Sequence, residues 1–467
     1  MKLLRAMGMS AVAVVVAIFT MGGSLEPTTA DAQTGAITCG SVVRGDVDGN
    51  GVGDLLVRAW DPQAGTDFEL VRYPTQDRQV IGATALDARV EPSVTLDAAA
   101  LGDLDGDGCA EAVFGGQLWP TASDQWYGTQ SRLYVVPGSP TGLHLDRAVR
   151  IDLDGDAINQ IVVVPGTHQI AATTRRNTGG EARGTLHVLT LNSQFASVIH
   201  RVVRGQDLKV QGAEQFGYAL AADGNTIAVG SPDELIDRTG VRGAVYLYSA
   251  STLRYTRIHQ RSKGVYTRWL SRFGHSVDLL DGRLVIGAPN ADVGNHNGAG
   301  RVYLLRWNET KRTYSVVRSF SQATKGVPGA ARDNDALGST VVIARGLTAS
   351  SSYDVVAAAM YDQLDDLKTA GSLTVTNFDK GGYRLITQDS PGVPSTPKKQ
   401  GMFGWTLAVR NDGLRTSAVL ASASQLDHPD TDGWAVVQTS PGRLNTWNYL
   451  WPSTIGHTYQ YGYSITG

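Results

Sequence analysis

The chain has 467 residues, 54 of them glycine, with 18% charged and 7% aromatic side chains and a formal net charge of −3. That balance gives no electrostatic case for nucleic acid as a partner, because phosphate binding needs a basic surface. Sparse charge with abundant glycine suits a β protein of many tight turns, and a length that ordinarily means two or three domains also fits one domain of repeats.

At the N-terminus, Lys2 and Arg5 precede a mostly apolar stretch to residue 20, and Ala30-Asp31-Ala32 is a small-x-small site. Residues 1–32 are expected to be a secretory signal, with a mature start near Gln33 and an extracellular product. The apolar run is broken by Gly22 and Gly23 and ended by Glu26. It is short for a span, so no membrane insertion is expected after cleavage. Residues 33–467 are expected to form one domain, acting as a monomer.

Cys39 and Cys109 are the two cysteines. A secreted chain favours pairing them. The repeat register described below would put Cys39 at the start of one inner strand and Cys109 in a loop at the far end of the next. That separation approaches ~20 Å at ~3.3 Å per residue, against the roughly 7 Å between Cα atoms that a bridge tolerates. Pairing stays open at this point.

Three acidic stretches follow in order. Asp46, Asp48, Asn50 and Asp54, with the Val52 carbonyl, form the first. Asp103, Asp105, Asp107 and Glu111, with the Cys109 carbonyl, form the second. Asp152, Asp154, Asp156 and Gln160, with the Ile158 carbonyl, form a weaker third. Hard oxygens at loop positions 1, 3, 5, 7 and 9 suit calcium, and carboxylates this close repel one another without a cation. Position 12 is Val57, Phe114 or Val163, inside a strand-like run, so these are strand–strand loops and not EF-hands. Two to three structural Ca2+ sites are expected.

Beyond the third stretch, short strands recur with turn residues between them. Phe216-Gly217-Tyr218-Ala219-Leu220 is matched by Phe273-Gly274-His275-Ser276-Val277 and by Phe403-Gly404-Trp405-Thr406-Leu407, with Leu337-Gly338-Ser339-Thr340-Val341 as a degenerate copy. Gly230-Ser231-Pro232 and Gly287-Ala288-Pro289 come fourteen residues after their phenylalanines. Gly243-Ala244-Val245-Tyr246 and Gly300-Arg301-Val302-Tyr303 follow as alternating strands. This pattern, with the acidic loop between first and second strands, resembles the FG-GAP repeat of integrin α-subunit N-terminal domains, closest to secreted bacterial members. The resemblance implies an all-β, seven-bladed β-propeller of four-stranded blades. Inner strands are expected to start near residues 39, 96, 145, 216, 273, 337 and 403. An eighth start at Tyr461-Gly462-Tyr463-Ser464 is expected to close the ring against the N-terminal region. The acidic loops come early here and late in integrins, which weakens any carry-over of the integrin partner interface.

Other motifs are weaker. Arg44-Gly45-Asp46 spells an integrin ligand, but Asp46 is already the first residue of an acidic loop. Gly274-His275-Ser276 resembles a nucleophile elbow without its last glycine. His168, Arg175 and Arg176 are placed in a long 165–183 connection, and Trp119, Trp126 and Tyr127 in an insertion at 117–130. Either could carry function. Residues 389–400 suggest an inter-blade loop. The functional expectation is a calcium-binding extracellular module for a glycan or protein ligand. A polysaccharide lyase or glycosidase on a propeller, or a structural envelope protein, are the alternatives. A cluster of His, Tyr and Arg near the central channel would favour the lyase.

Overall fold

The computed structural model describes residues 39–40, 43–61, 65–86, 94–118, 130–153, 157–176, 183–210, 212, 215–237, 240, 242–265, 270–394, 396–413, 416–423, 434–438, 444–450 and 465–467. Stretches of alternating or wholly apolar residues form strands, and each set of four pairs antiparallel into one sheet. Seven such sheets make a seven-bladed β-propeller.

Blade 1 orders Ile465–Thr466, Leu55–Asp61, Gly65–Arg72 and Asp77–Ile81 from inside out. Blade 2 is Val94–Gly102, Glu111–Leu118, Gln130–Val136 and Val149–Leu153. Blade 3 is Ala157–Val164, Gln169–Arg176, Arg183–Leu191 and Ser197–Arg204. Blades 4 to 7 begin at inner strands Leu220–Asp223, Ser276–Leu280, Leu337–Arg345 and Leu407–Asp412. The short C-terminal strand pairs Thr466 with Leu56 and Ile465 with Val57, so the ring closes within blade 1. Residues 461–464 of the eighth repeat start lie outside the described residues.

The core lies between blades. Phe273 packs edge-on to Tyr303 at 5.4 Å and, with Ala219, Val245, Leu284 and Ile286, fills the space between blades 4 and 5. Leu55 and Val57 of blade 1 join Phe403, Leu407 and Val419 of blade 7 in one cluster, the apolar seal of the ring. The glycine of each GAP element makes this packing possible. A Cβ on Gly230 would lie 2.0 Å from the Gly274 carbonyl oxygen, and one on Gly287 2.0 Å from that of Gly338. Backbone of one blade therefore rests directly on backbone of the next, which only glycine permits.

Three sequence expectations are corrected. The first inner strand does not start near residue 39, because the C-terminal strand occupies the inner position, and residues 43–54 form a leading segment that meets Gly467 at Gly45 and Asp54. The third inner strand starts at Ala157, not near 145: residues 145–147 form a 3-10 turn and Val149–Leu153 is the outer strand of blade 2. Finally, Cys39 and Cys109 are joined by a disulfide, with Cα atoms 5.0 Å apart. The ~20 Å separation assumed Cys39 on an inner strand. Freed from that strand, it lies against Gly49, where an added Cβ would come within 2.5 Å of its own.

Candidate functional site

The first two acidic stretches fold alike. In each, the residue after the first Asp donates its backbone N–H to the carboxylate at position 9: Val47 to Asp54 at 2.8 Å, Leu104 to Glu111 at 2.6 Å. The first Asp in turn accepts from the loop glycines, Gly51 to Asp46 at 2.7 Å and Gly106 to Asp103 at 2.6 Å. Position 5 accepts from two residues on, Val52 to Asn50 at 2.9 Å and Cys109 to Asp107 at 2.7 Å. Carboxylate oxygens of Asp46, Asp48 and Asp54 lie within 4.8 Å of one another, as do those of Asp103, Asp105 and Glu111.

Burial makes this crowding costly. Asp46 and Asp54 are fully buried and Glu111 is 1% exposed. Burial, with lesser contributions from Asp48 and Asp46, pushes Asp54 up to about 7. Burial, then Asp105, Asp103 and Asp107, pushes Glu111 up to about 9. Asp48 and Asp107 are raised for the same reasons. In the first loop Arg72 lies 3.6 Å from Asp48 and offsets part of the charge. Among the described residues no cationic side chain pairs with the carboxylates of the second. Both sets are hard oxygens with backbone carbonyls beside them, the chemistry a calcium ion takes.

The loops also touch. Ala110 donates its backbone N–H to the Asp46 carbonyl at 2.7 Å, and the disulfide joins the leading segment to the second loop. His168, in the inner hairpin of blade 3, places Nδ1 2.5 Å from the Leu104 carbonyl. The third acidic stretch is different. Asp152 lies on the outer strand of blade 2 beside Arg132 at 3.4 Å and Arg150 at 3.3 Å. Ile158 and Gln160 lie on the inner strand of blade 3, and Asp154 and Asp156 fall outside the described residues. The stretch thus runs from blade 2 to blade 3 and not between two strands of one blade.

A second constellation, missed from sequence, rings the central channel, a cavity of about 1230 Å3. Blades 2, 3, 4, 6 and 7 carry a bulge near the start of the inner strand, and blade 5 has the matching Gly274–His275 step, with Gly274 donating to the Gly287 carbonyl at 3.0 Å. Gly217 and Tyr218 both donate to the Gly230 carbonyl, at 2.9 and 3.2 Å, and Gly404 and Trp405 both donate to that of Ser422, at the same distances. The pairing register shifts at the corresponding places in blades 2, 3 and 6. The residues at this position are Asp97, Asn159, Tyr218, His275, Ser339 and Trp405, and all six line the channel. In blades 4, 5 and 7 the sequence signal was the residue after FG, Tyr218, His275 and Trp405, while blades 2, 3 and 6 carry no FG there. The matching residue of blade 1, Tyr463, lies outside the described residues.

These side chains form a polar and aromatic mouth. Asp97 accepts from Arg58 of blade 1 at 2.8 Å. The rings of Tyr218 and His275 are 4.7 Å apart. The guanidinium groups of Arg175 and Arg272 each lie 5.3 Å from the centre of Tyr218. Burial, then the charge of Arg272, holds His275 down at about 4, so the imidazole is neutral. Its Nδ1 lies 3.1 Å from the Ser339 carbonyl. A carbonyl can only accept, so Nδ1 carries the proton and Nε2 the lone pair. Ser276, the serine of the elbow-like motif, spends its hydroxyl on the Gly338 carbonyl at 2.8 Å.

The opposite end of the channel is crossed by an ion pair between Arg44 and Asp223. Blades 1 and 4 face each other across the ring, so this pair spans the channel at the acidic-loop end. Asp46 is fully buried, which rules out display of Arg44-Gly45-Asp46 as a ligand. Arg175 and Arg176 lie on a strand of blade 3 and not in a long connection. Trp119, Trp126 and Tyr127 fall outside the described residues. Residues 389–400 do join blades 6 and 7.

No family model matches the chain, and no curated protein matches its sequence. Among solved structures, a protein from Lactobacillus plantarum shares 10% identity at a TM-score of 0.46, covering 89% of this chain and 98% of that one. An acylaminoacyl peptidase of Pyrococcus horikoshii shares 9% identity at a TM-score of 0.44 over 85% of this chain. The match spans about half, 49%, of the peptidase.

Proposed function

We propose that this protein is a secreted, calcium-stabilised binding module of the FG-GAP type that holds an extracellular glycan at the open mouth of its channel. The observation that carries the reading is the bulge ring. One register position presents Asp, Asn, Tyr, His, Ser and Trp around a single opening, on a backbone frame that repeats. Flat aromatic faces beside a few directed polar groups suit a sugar ring. Calcium at the two acidic loops has a structural role, stiffening the turns of blades 1 and 2 at the far end. Secretion fits the disulfide, since such bonds persist in oxidising compartments.

One observation favours a second reading, a polysaccharide lyase. Uronate elimination needs a cation to neutralise the sugar carboxylate and a base to take the neighbouring proton. Arg175, Arg272, Tyr218 and the free Nε2 of neutral His275 provide both at one place.

Retention of the mature protein on a panel of polysaccharides, with calcium or chelator, tests the first reading. Assay of the same tubes for unsaturated or reducing ends tests the second. Retention with the polymer intact supports a binding module, and unsaturated products support the lyase. Absence of both refutes a glycan site and leaves a protein ligand or a structural role.

A further inference from the structure

The described arginines at the channel mouth are not met alike. Arg58 is met by Asp97 at 2.8 Å. Arg272 is met by Asp233 at 3.2 Å and by the Gln215 side-chain oxygen at 2.7 Å. Arg175, at the end of the second strand of blade 3, has no carboxylate at ion-pair distance among the described residues. Its described polar neighbour is the π face of Tyr218. Of the two guanidinium groups beside Tyr218, Arg272 is thus held by polar partners and Arg175 is not, among the described residues.

We propose that the sugar taken at this mouth carries a carboxylate and that Arg175 receives it. The proposal rests on the reading of the mouth as a glycan site. A cation–π contact attracts the guanidinium but leaves its N–H fork unused. A planar carboxylate is the partner that a planar fork takes with two parallel hydrogen bonds. A uronic acid joins that carboxylate to a ring that lies flat on Tyr218, with His275 Nε2 in reach as an acceptor for a sugar hydroxyl. Arg272, already bonded to Asp233 and Gln215 and 5.3 Å from the Tyr218 ring centre, acts as a positioning residue for that tyrosine.

The test is isothermal titration of the mature protein at saturating calcium and low ionic strength. Hyaluronan and galacturonate oligosaccharides are compared with the same oligosaccharides after carboxyl reduction and with sulfated dextran oligomers. Uronate binding that weakens at least about tenfold on reduction is expected, the scale of one lost charge-assisted hydrogen bond. Arg175→Gln should cost a similar factor, with an unchanged melting temperature, and Arg175→Lys should fall between. Equal binding of acidic and reduced forms, binding of sulfated oligomers alone, or wild-type affinity in Arg175→Gln would overturn the proposal while leaving a glycan-binding module standing. No binding of any oligosaccharide, with no retention on the polysaccharide panel, would overturn both.

Discussion

Replacing Cys39 and Cys109 together by serine removes a covalent link between residues 70 apart in sequence. In the chain-entropy picture, a loop of that size lowers the entropy of the unfolded chain enough to stabilise the native state by roughly 4 kcal/mol. Both sulfur sites are buried, Cys39 at 5% exposure and Cys109 at 0%, so the serines also bury two hydroxyls, beside the Asp107 carboxylate. Against that loss, the leading segment keeps its backbone ties. Gly53 donates to the Asn411 carbonyl at 2.6 Å, Asp54 to Gly45 at 2.8 Å, and Ala110 to Asp46 at 2.7 Å. The variant should therefore fold and unfold at lower urea, with a slope in denaturant no smaller than before, since the uncrosslinked unfolded chain exposes more surface, and a free-energy loss near 4 kcal/mol. Urea titration followed by tryptophan fluorescence, with calcium held constant, measures it. A loss below about 1 kcal/mol would refute the reasoning. It would show that the leading segment detaches before the rest unfolds, so that the link constrains nothing in the global transition.

Other expectations follow from the same structure. Calcium should raise the melting temperature, each occupied loop adding about 1.4 kcal/mol at tenfold excess over its dissociation constant. The second loop should bind more tightly, since no cation offsets its carboxylates, and Asp105→Asn should remove that stronger phase in a calcium titration. His275, held at about 4 in the fold against an ordinary ~6.5, lets the unfolded chain take a proton that the native state refuses. Its contribution to stability is intact above the higher value and is lost as pH falls from about 6.5 to about 4. His275→Gln should flatten that part of the stability–pH curve. Gly287→Ala should destabilise by about 1–3 kcal/mol, the scale of a forced overpacking, because the new methyl would sit 2.0 Å from the Gly338 oxygen. A preserved unfolding midpoint would mean that the blades slide apart at no cost.

The fold was legible where local pattern and tertiary role coincide. Phe216-Gly217 and Gly287-Ala288-Pro289 are conspicuous because the phenylalanine fills the space between blades and the glycine lets backbones meet, so neither tolerates drift. The acidic loops at Asp46 and Asp103 were legible for the same reason: turn, glycine and carboxylates obey one geometry. The third stretch misled because acidic residues between two alternating segments look alike whether they join strands of one sheet or two neighbouring sheets. Cys39 misled because an inner strand can be supplied from the far end of the chain, which no local window reveals. The channel ring went unseen because its residues share a position and no chemistry. Arg175 needed the fold altogether, since a strand residue of blade 3 and an inner-strand tyrosine of blade 4 meet only when the blades pack.

The bulge has an evolutionary consequence. Its hydrogen bonds are made by backbone groups alone, Gly217 and Tyr218 to Gly230, Gly404 and Trp405 to Ser422. The side chain at that position is not needed for the bulge itself, although Asn159, His275 and Ser339 also bond neighbouring backbone carbonyls. A lineage carrying this scaffold could change what it captures by substitutions at that one position, with the coupled neighbours Asn159, Tyr218, His275 and Ser339 changing together.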